Sequence, residues 1–338
     1  MISLAVKYRP QKFSDVCSQE SIIKILERQL ELKQFKNAYL FCGASGCGKT
    51  TIARIFANEI NNYIGVPIEI DGASNNGVDN IKTIIKSANE RSLSGQYKIY
   101  IIDECHALTS QAWQAFLKCL EEPPEYTIFI FCTTDPQKIP MTILNRVMRF
   151  NFARISQDLI NSRLIYICKQ EGFTNYIDGC NFISRNAMGC MRDAISMLDK
   201  SASYNTDLSE KNVETALGKS SYTIMLDLLN SIILGDPGFK LNIIDHIFNS
   251  GFDLSIFISQ FLSFCIDINK YVLFKDISKT SLPASVEPEL EYFINIPNVL
   301  NYYQTIINGI LDCKNAIKND NDIKSTIIVY LFNLPKVL

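Results

Sequence analysis

The residues from Gly43 to Thr50 have the types and the spacing that binding of nucleotide phosphates requires. They read Gly-Ala-Ser-Gly-Cys-Gly-Lys-Thr and fit the pattern G-x-x-x-x-G-K-[ST] at every fixed position. Glycines let the backbone N–H groups of such a loop converge on phosphate oxygens, and a lysine neutralises the β- and γ-oxygens. The Thr50 hydroxyl is suited to ligate Mg²⁺. A chance glycine turn is the alternative, and the predicted strand before it and helix after it argue against that.

Two acidic residues end an apolar segment further along the chain. The segment Ile99–Ile102 is followed directly by Asp103 and Glu104. We predict that Asp103 holds the Mg²⁺ shell and that Glu104 polarises an attacking water, so that the reaction is hydrolysis and not binding alone. An acidic pair after a strand can also cap the next helix. Together with the phosphate loop, however, it indicates a nucleoside triphosphatase.

Three further positions come from the next predicted strand end and beyond. A hydroxyl of Thr133 or Thr134 could sense the γ-phosphate or orient water, and the following Asp135-Pro136 pair also favours a turn, so the two interpretations are compatible. Arg146 and Arg192 come next along the chain, each in a predicted helical or loop context. Their spacing alone leaves open whether each contacts nucleotide or is a solvated surface charge.

The elements that must position these residues alternate between strand and helix patterns over the first 150 residues or so. Helical spacing is found at Thr50–Ile60 and Ser110–Glu121. Strand followed by helix followed by strand predicts an α/β domain with a parallel sheet, helices on both faces, and ligands beyond the carboxyl ends of the strands. The predicted strands are Ala38–Cys42, Pro67–Asp71, Lys98–Asp103, Thr127–Thr134 and Val147–Phe152.

The chain beyond Phe152 is predicted to be helical. The longest uncharged apolar stretch, Leu254–Ile266, is shorter than the roughly 20 residues that a bilayer span needs, so no membrane segment is predicted. We expect three domains: residues 1–153, 154–219 and 220–338. The predicted helices are Ser156–Gln170, Asp178–Asn186, Arg192–Ser201, Ser209–Leu217, Tyr222–Leu234 and Phe252–Phe274.

Composition restricts the partners and the compartment. Lys and Arg total 33 and Asp and Glu total 35, so any nucleic-acid contact must use a local basic patch. The 11 cysteines are scattered, form no C-x-x-C pair, and have only two histidines to help them, which predicts no zinc site. Their odd number and the absence of a leader-like N-terminus indicate reduced thiols and a cytoplasmic location, in a bacterium or a phage-infected host.

Longer stretches resemble one family. Those stretches are Leu4–Val16, Ile68–Ser74, Ile102–Leu108, Leu120–Glu125 and Thr133–Leu144, and they are similar to the tau/gamma ATPase subunit of the bacterial DNA polymerase III clamp loader, an AAA+ protein. The resemblance is dense over about the first 200 residues and beyond residue 220 rests on length and helicity. It implies an AAA+ α/β domain, a small helical lid domain, and an all-α collar domain that joins subunits.

The resemblance also implies roles for single residues. Asp103 and Glu104 match the family's Walker B acids, Thr134 its sensor-1 residue, and Arg192 its sensor-2 arginine. Arg146 matches the finger that reaches the ATP of a neighbouring subunit. The catalytic set is thus Glu104, Lys49, Thr134, Arg146 and Arg192. The ATP-binding set is Gly43, Ala44, Ser45, Gly46, Cys47, Gly48, Lys49, Thr50, Thr51, Tyr8, Arg9, Pro10, Val16 and Arg192, with Thr50 and Asp103 on Mg²⁺.

Two departures from the family concern the zinc module and the finger. The family usually carries a four-cysteine zinc module between the phosphate-loop helix and the second strand, whereas here Ile60 is followed within a few residues by Pro67. This agrees with the prediction of no zinc. The Ser-Arg-Cys element of the family reads Asn145-Arg146-Val147. The guanidinium is kept, although its flanking contacts differ.

A third departure concerns DNA. Positions that are basic and face DNA in the family are Asn75 and Gly77 in this chain, while Lys82, Lys118 and Lys138 keep their charge. We predict that these three lysines and Asn75 contact DNA phosphates, with a weaker and more salt-sensitive grip. An ordinary solvated charge is the alternative for each lysine.

The resemblance implies a function with definite partners. ATP-loaded subunits in a pentameric ring, with the same or other companion chains, would open a sliding clamp and load it on primer–template DNA. Two alternatives stay open: another AAA+ motor that remodels DNA, such as a helicase loader or a branch-migration engine, and a structural subunit that does not hydrolyse ATP. The lack of a basic winged-helix domain argues against branch migration. The intact Lys49 and Glu104 argue against a silent subunit.

Overall fold

The computed structural model describes residues 2–92, 95–217, 222–250, 252–280, 282, 286–294, 298–320 and 322–336. The chain folds into two compact units that divide after Val213. The first unit contains the sheet and the helices that follow it. The second unit is built from helices alone in the part of the chain that the structure describes.

Five parallel strands form the sheet, as the sequence predicts. They are β1 (Ala38–Gly43), β2 (Ile68–Asp71), β3 (Lys98–Asp103), β4 (Thr127–Thr133) and β5 (Met148–Phe152). The strand order is β2-β3-β4-β1-β5, and every paired strand is parallel. Every residue of β4 is buried, because a central parallel strand is covered on both faces, and this explains its continuous apolar sequence. The carboxyl ends of β1, β3 and β4 therefore meet at one edge.

Helices cover both faces of this sheet, as predicted. They are α2 (Glu20–Leu32), α3 (Lys49–Ile60), α4 (Val78–Ala88), α5 (Ser110–Glu121) and α6 (Met141–Leu144), and a short helix, α1 (Leu4–Lys7), precedes them in the chain. Phe56 of α3 and Leu26 of α2 pack with Phe41 in the core of one face. Phe116 of α5 and Ile81 of α4 pack in the core of the other. Alternate residues of each strand supply the two cores.

Four helices follow the last strand: α7 (Gln157–Glu171), α8 (Tyr176–Asn186), α9 (Met191–Tyr204) and α10 (Glu210–Leu217). The Ser156 hydroxyl accepts a hydrogen bond from the backbone N–H of Leu159 and so caps the start of α7. Gly172 ends α7 with a φ of 74°, which glycine adopts without steric cost. These bounds lie within a few residues of the predicted ones.

The second unit contains α11 (Tyr222–Leu234), α12 (Pro237–Asn249), α13 (Leu254–Phe274), α14 (Glu287–Ile294), α15 (Val299–Ala316) and α16 (Ile323–Phe332). Asp236 and Asp253 cap α12 and α13 by accepting hydrogen bonds from backbone N–H groups of the first turn. Buried side chains of α13 and α15, such as Phe261 and Tyr303, form its core. It is an all-α bundle, as predicted.

The length of α13 corrects one expectation. The uncharged stretch ends at Ile266, but the helix continues through Asp267 and Lys270, whose side chains form an ion pair of 2.8 Å, and reaches 21 residues. By length and composition it could cross a membrane. Just over half of its most apolar window is buried, with Phe257 and Phe261 inside the helical core. Its burial explains its apolar sequence as that of a core helix.

Candidate nucleotide-binding site

The loop between β1 and α3 has a backbone that only glycine adopts easily. Gly46 and Gly48 have φ values of 65° and 103°, in the left-handed region. α3 then begins at Lys49, so the N-terminal N–H groups of a helix and their dipole lie at the loop. The buried ammonium of Lys49 donates hydrogen bonds of 2.9 Å to the carbonyl oxygens of Gly43 and Ala44. The loop thus combines backbone N–H groups that can bind an anion with the ammonium of Lys49, which lies against them.

A hydroxyl and a carboxylate meet beside this loop. Thr50 Oγ1 donates a 2.7 Å hydrogen bond to Asp103 Oδ2, and Asp103 Oδ1 accepts one of 3.0 Å from the backbone N–H of Glu104. Mg²⁺ prefers oxygen ligands and takes one or two from the protein, with waters and substrate phosphates completing its shell. These two side chains fit that donor set.

The cysteines and acidic residues give no sign of a second kind of metal site. Over the described ranges, no group of three or more His, Cys, Asp or Glu side chains lies close enough to hold a metal ion. The eleven cysteines are free, and all but Cys17 are buried. Burial raises the pKa of most of these thiols, Cys47 in the phosphate loop among them. The absence of zinc stays a prediction.

Glu104 occupies a constrained position at the carboxyl end of β3. Its φ of 47° places a non-glycine residue in the left-handed region, as is common at functional sites. Its Oε2 accepts a 3.1 Å hydrogen bond from Thr134 Oγ1 and lies 3.2 Å from Nδ1 of His106. Glu104 and Thr134 also line one open cavity with the start of the loop. Adjacent strands bring these two predicted residues together.

A second cavity, of about 570 Å³, lies against the same loop. Most of its lining comes from the N-terminal segment, the loop with the start of α3, and the start of α9, while the end of β3 and Arg163 of α7 also contribute. Gly43 and Ala44 line the neighbouring cavity that Glu104 faces. The predicted residues that line the second cavity are Tyr8, Arg9, Pro10, Val16, Ser45, Gly46, Cys47, Gly48, Lys49, Thr50, Thr51, Asp103, Glu104 and Arg192.

The start of α9 packs directly on the loop. The backbone N–H of Met191 donates a 3.2 Å hydrogen bond to the carbonyl of Gly46. A Cβ added at Gly46 would lie 2.1 Å from Cys190 Sγ and 3.3 Å from Arg192 Cβ, so only glycine allows this approach. This contact fixes the backbone of Arg192 at the loop and explains why its side chain lines the cavity.

The N-terminal segment that lines this cavity is bound to α7 by Glu171 and Arg163, two residues that the sequence did not predict. Lys7 Nζ lies 2.6 Å from Glu171 Oε1, and the Tyr8 hydroxyl donates a hydrogen bond to the same oxygen. Arg163 donates a 2.8 Å hydrogen bond to the carbonyl of Tyr8, and its guanidinium lies over the ring of Tyr166. Arg163 also lines the second cavity. Contacts between residues so distant in sequence leave no local signal.

The protonation states of this contact are stable around neutral pH. Burial and the hydrogen bond to Glu171 raise the pKa of Tyr8 to about 12. Hydrogen bonds from Lys7 and Tyr8 lower the pKa of Glu171 below its usual value. Because the pKa of Glu171 is lowered, the contact is stabilised at any pH above the usual pKa of a glutamate. Because the pKa of Tyr8 is raised, the contact is also stabilised at any pH below the usual pKa of a tyrosine. Both conditions hold between pH 6 and pH 9.

Glu171→Gln is therefore expected to weaken ATP binding about threefold at both pH 6 and pH 9. The substitution removes a partly exposed ion pair with Lys7 and so holds the N-terminal segment with Tyr8 less firmly in place. Fluorescence titration with a labelled ATP analogue measures the dissociation constant. Glu31→Gln, which removes an exposed carboxylate on α2, is the matched control and should leave it unchanged. Equal affinities for Glu171→Gln and the wild type would show that the contact does not support the wall.

Arg146 lies apart from both cavities. It follows α6, donates a 2.7 Å hydrogen bond to the carbonyl of Thr142, and pairs with Glu121 Oε1 at 2.5 Å. It is part-exposed and does not line the nucleotide cavity of its own chain. Any contact with nucleotide by this side chain must therefore involve another copy or a rearrangement.

The residues predicted to contact DNA are dispersed over four places in the first unit. Lys82 on α4 lies 3.8 Å from Asp79, and Lys138 lies 3.3 Å from Asp135, so each has an acidic neighbour within one turn. Lys118 is exposed on α5. Asn75 donates a 3.1 Å hydrogen bond to the carbonyl of Asp71 at the end of β2. Their contact with DNA stays a prediction.

Two family models match this chain. The one described as DNA polymerase III, delta subunit, matches residues 66–156, and the one described as DNA polymerase III subunits gamma and tau domain III matches residues 208–332. DNA polymerase III subunit tau of Bacillus subtilis is 42% identical over 231 residues, which are 62% of this chain and 41% of that protein. The gamma subunit of Buchnera aphidicola from Acyrthosiphon pisum is 29% identical over 338 residues, 93% of this chain and 94% of that protein.

The chain belongs to the DNA polymerase III gamma/tau family. The resemblance found in the sequence is thereby confirmed. The chain spans about half the length of the gamma/tau relatives that are longer, for example 49% of the Mycoplasma genitalium subunit, to which it is 32% identical over 80% of its own length. It covers nearly all of the shorter Buchnera gamma subunit.

Solved structures show the fold of this gamma/tau family member. The Thermotoga maritima RuvB Holliday junction branch migration motor superposes with a TM-score of 0.54 at 18% identity, over 67% of this chain and 79% of that one. At this identity the likeness concerns the fold alone. The chain is thus AAA+ in fold, with a helical C-terminal region.

Proposed function

We propose that this chain is an ATPase subunit of a sliding-clamp loader. The observation that carries the proposal is the gathering of Lys49, Thr50, Asp103, Glu104 and Arg192 around one phosphate loop in a member of the gamma/tau family. Its substrate is ATP with Mg²⁺. Its work is to open the clamp and place it on primer–template DNA, which makes the polymerase processive.

Each of these side chains has a definite task in hydrolysis. Lys49 and Arg192 neutralise the phosphates from the loop and from α9. Thr50 and Asp103 would hold Mg²⁺, which when bound would supply further positive charge to the phosphates. Glu104 accepts the proton of the water that attacks the γ-phosphorus, and Thr134 orients Glu104. The bond between the γ-phosphorus and the bridging oxygen breaks, giving ADP and inorganic phosphate.

Arg146 acts from a neighbouring subunit. Its exposed location outside its own cavity supports this role, and the second, helical unit is the part that joins subunits in a ring, which we take to be pentameric. We assign residues 1–153 to the ATPase domain, 154–219 to a lid and 220–338 to the collar. Lys82, Lys118, Lys138 and Asn75 hold the DNA backbone, and the protein works in the cytoplasm.

Steady-state ATP turnover by the assembled complex tests this function. We expect strong stimulation when the cognate clamp and primed DNA are added together, and weak stimulation by either alone. Turnover no greater than that of Lys49→Ala would indicate a subunit that binds but does not hydrolyse. Turnover that responds to DNA alone, from a hexamer indifferent to the clamp, would indicate a DNA motor instead.

A further inference from the structure

His106 lies against the carboxylate of Glu104 but lines neither of the two cavities described above. Its Nδ1 is 3.2 Å from Glu104 Oε2 and 3.2 Å from Thr133 Oγ1. The side chain is 22% exposed, while Thr133 is fully buried in β4. The ring thus lies between Glu104, which directly follows β3, and the last residue of the neighbouring strand β4.

The neighbours of the ring decide where its proton lies. Thr133 Oγ1 already accepts a 3.0 Å hydrogen bond from the backbone N–H of Asp135. A proton on Nδ1 of His106 gives both nearby oxygens a donor. A lone pair on Nδ1 would instead face a carboxylate oxygen at 3.2 Å, which is repulsive. The arrangement therefore requires the tautomer with the proton on Nδ1.

The backbone beneath His106 is held firmly. Cys105–Ala107 forms a short 3-10 turn, closed by a 3.0 Å hydrogen bond from the Ala107 N–H to the carbonyl of Glu104. Cys105 is fully buried below it. The N–H of Thr109 donates a 3.2 Å hydrogen bond to the carbonyl of Asn76. A ring on such a turn can hold a neighbouring side chain in one orientation.

We propose that His106 is a positioning residue for Glu104. The Nδ1–H of His106, which also lies next to Thr133 Oγ1, and the hydroxyl of Thr134 both donate hydrogen bonds to Glu104 Oε2. The other oxygen, Oε1, is then left to accept the proton from the attacking water. This role rests on the proposed ATPase function. Because His106 acts through Glu104 and not on the nucleotide, it affects the rate of hydrolysis and not the affinity for ATP.

Three substitutions test this role by separating kcat from binding. His106→Ala is expected to lower kcat about tenfold, because a misplaced base loses orientation, while the ATP dissociation constant stays within about twofold. His106→Asn, whose amide N–H can occupy the position of Nδ1, should restore kcat to within about threefold of wild type. His106→Gln, whose amide reaches the position of Nε2, should not. Parallel losses of affinity and kcat, or equal kcat for Asn and Gln, would overturn the proposal.

A second measurement needs no hydrolysis. The chain has only two histidines, so selective ¹⁵N labelling resolves His106 from His246, which lies in the second unit and serves as the reference. At pH 8 we expect the Nδ1–H tautomer for His106, and ring ¹⁵N shifts that change in Glu104→Gln while those of His246 do not. A proton on Nε2, or no response to Glu104→Gln, overturns the positioning role. If the wild-type protein does not hydrolyse ATP, the proposed ATPase function is wrong. The ¹⁵N spectrum still shows in that case whether His106 donates a hydrogen bond to Glu104.

Discussion

Arg146→Ala is expected to reduce ATP hydrolysis by the assembled complex about a thousandfold, within the range that arginine fingers supply in related phosphoryl transfer. The guanidinium pairs with Glu121 at the surface of its own chain and lies outside its own nucleotide cavity. Its loss should therefore leave the ATP affinity of each subunit unchanged. Single-turnover hydrolysis with radiolabelled ATP, together with equilibrium binding, measures both quantities.

Mixing two inactive variants tests whether the arginine acts on a neighbour. Lys49→Ala lacks the phosphate-loop cation and Arg146→Ala lacks the finger, so a complex of either alone should be inactive. A mixed complex contains some subunit interfaces at which an intact phosphate loop faces an intact Arg146, so ATP hydrolysis should partly return. No recovery on mixing would contradict the shared site and would leave Arg146 acting within its own chain.

Two control variants exclude indirect effects of the Arg146 substitution. Arg28→Ala removes an exposed arginine of α2 that pairs with Glu31 three residues later, and it should hydrolyse ATP at the wild-type rate. Glu121→Gln removes the ion-pair partner of Arg146 but keeps the guanidinium. It should retain most of the activity, since an exposed pair contributes little. A loss with Glu121→Gln as large as with Arg146→Ala would mean that the pair, and not the arginine, matters.

The sequence predicted the sheet and the phosphate site because their signals are local. A loop that must bind phosphate requires glycines and a lysine within a few residues, and buried parallel strands require continuous apolar runs. α2 and α4 were not predicted, although Ile81, Ile84, Ile85 and Ala88 recur at helical spacing in α4. The uncharged stretch ends at Ile266, whereas the helix continues through Asp267 and Lys270, because these two charges pair with each other.

The site shows a different limit. Glu104 and Thr134 could be matched to roles from motifs, but their hydrogen bond depends on β3 and β4 being neighbours, which the motifs do not state. Glu171 and Arg163 are more than 150 residues from Tyr8, whose position they fix. Sequence patterns thus identify groups that perform chemistry. Groups that hold those groups in place depend on tertiary contacts and carry no pattern of their own.

Glu104→Gln is the second substitution with a large expected effect. The amide keeps the size of the carboxylate and can still accept the hydrogen bond from Thr134, but it cannot take a proton from water. We expect hydrolysis to fall about a thousandfold, within the range for loss of a general base. ATP affinity should persist because Lys49, Thr50 and Asp103 are untouched. The complex should then accumulate with ATP bound and keep hold of the clamp.

Asp103→Asn distinguishes the role of Asp103 from that of the adjacent Glu104. Asp103 accepts from Thr50 at 2.7 Å in the set suited to Mg²⁺, so its amide should raise the Mg²⁺ concentration needed for ATP binding, whereas Glu104→Gln should not. Glu27→Gln, an exposed change on α2, is the control for removing one negative charge. If Glu104→Gln kept more than about a tenth of the wild-type single-turnover rate, general-base catalysis by this residue would be excluded. The water would then be activated by the phosphate itself, with Glu104 only one of the groups that surround it.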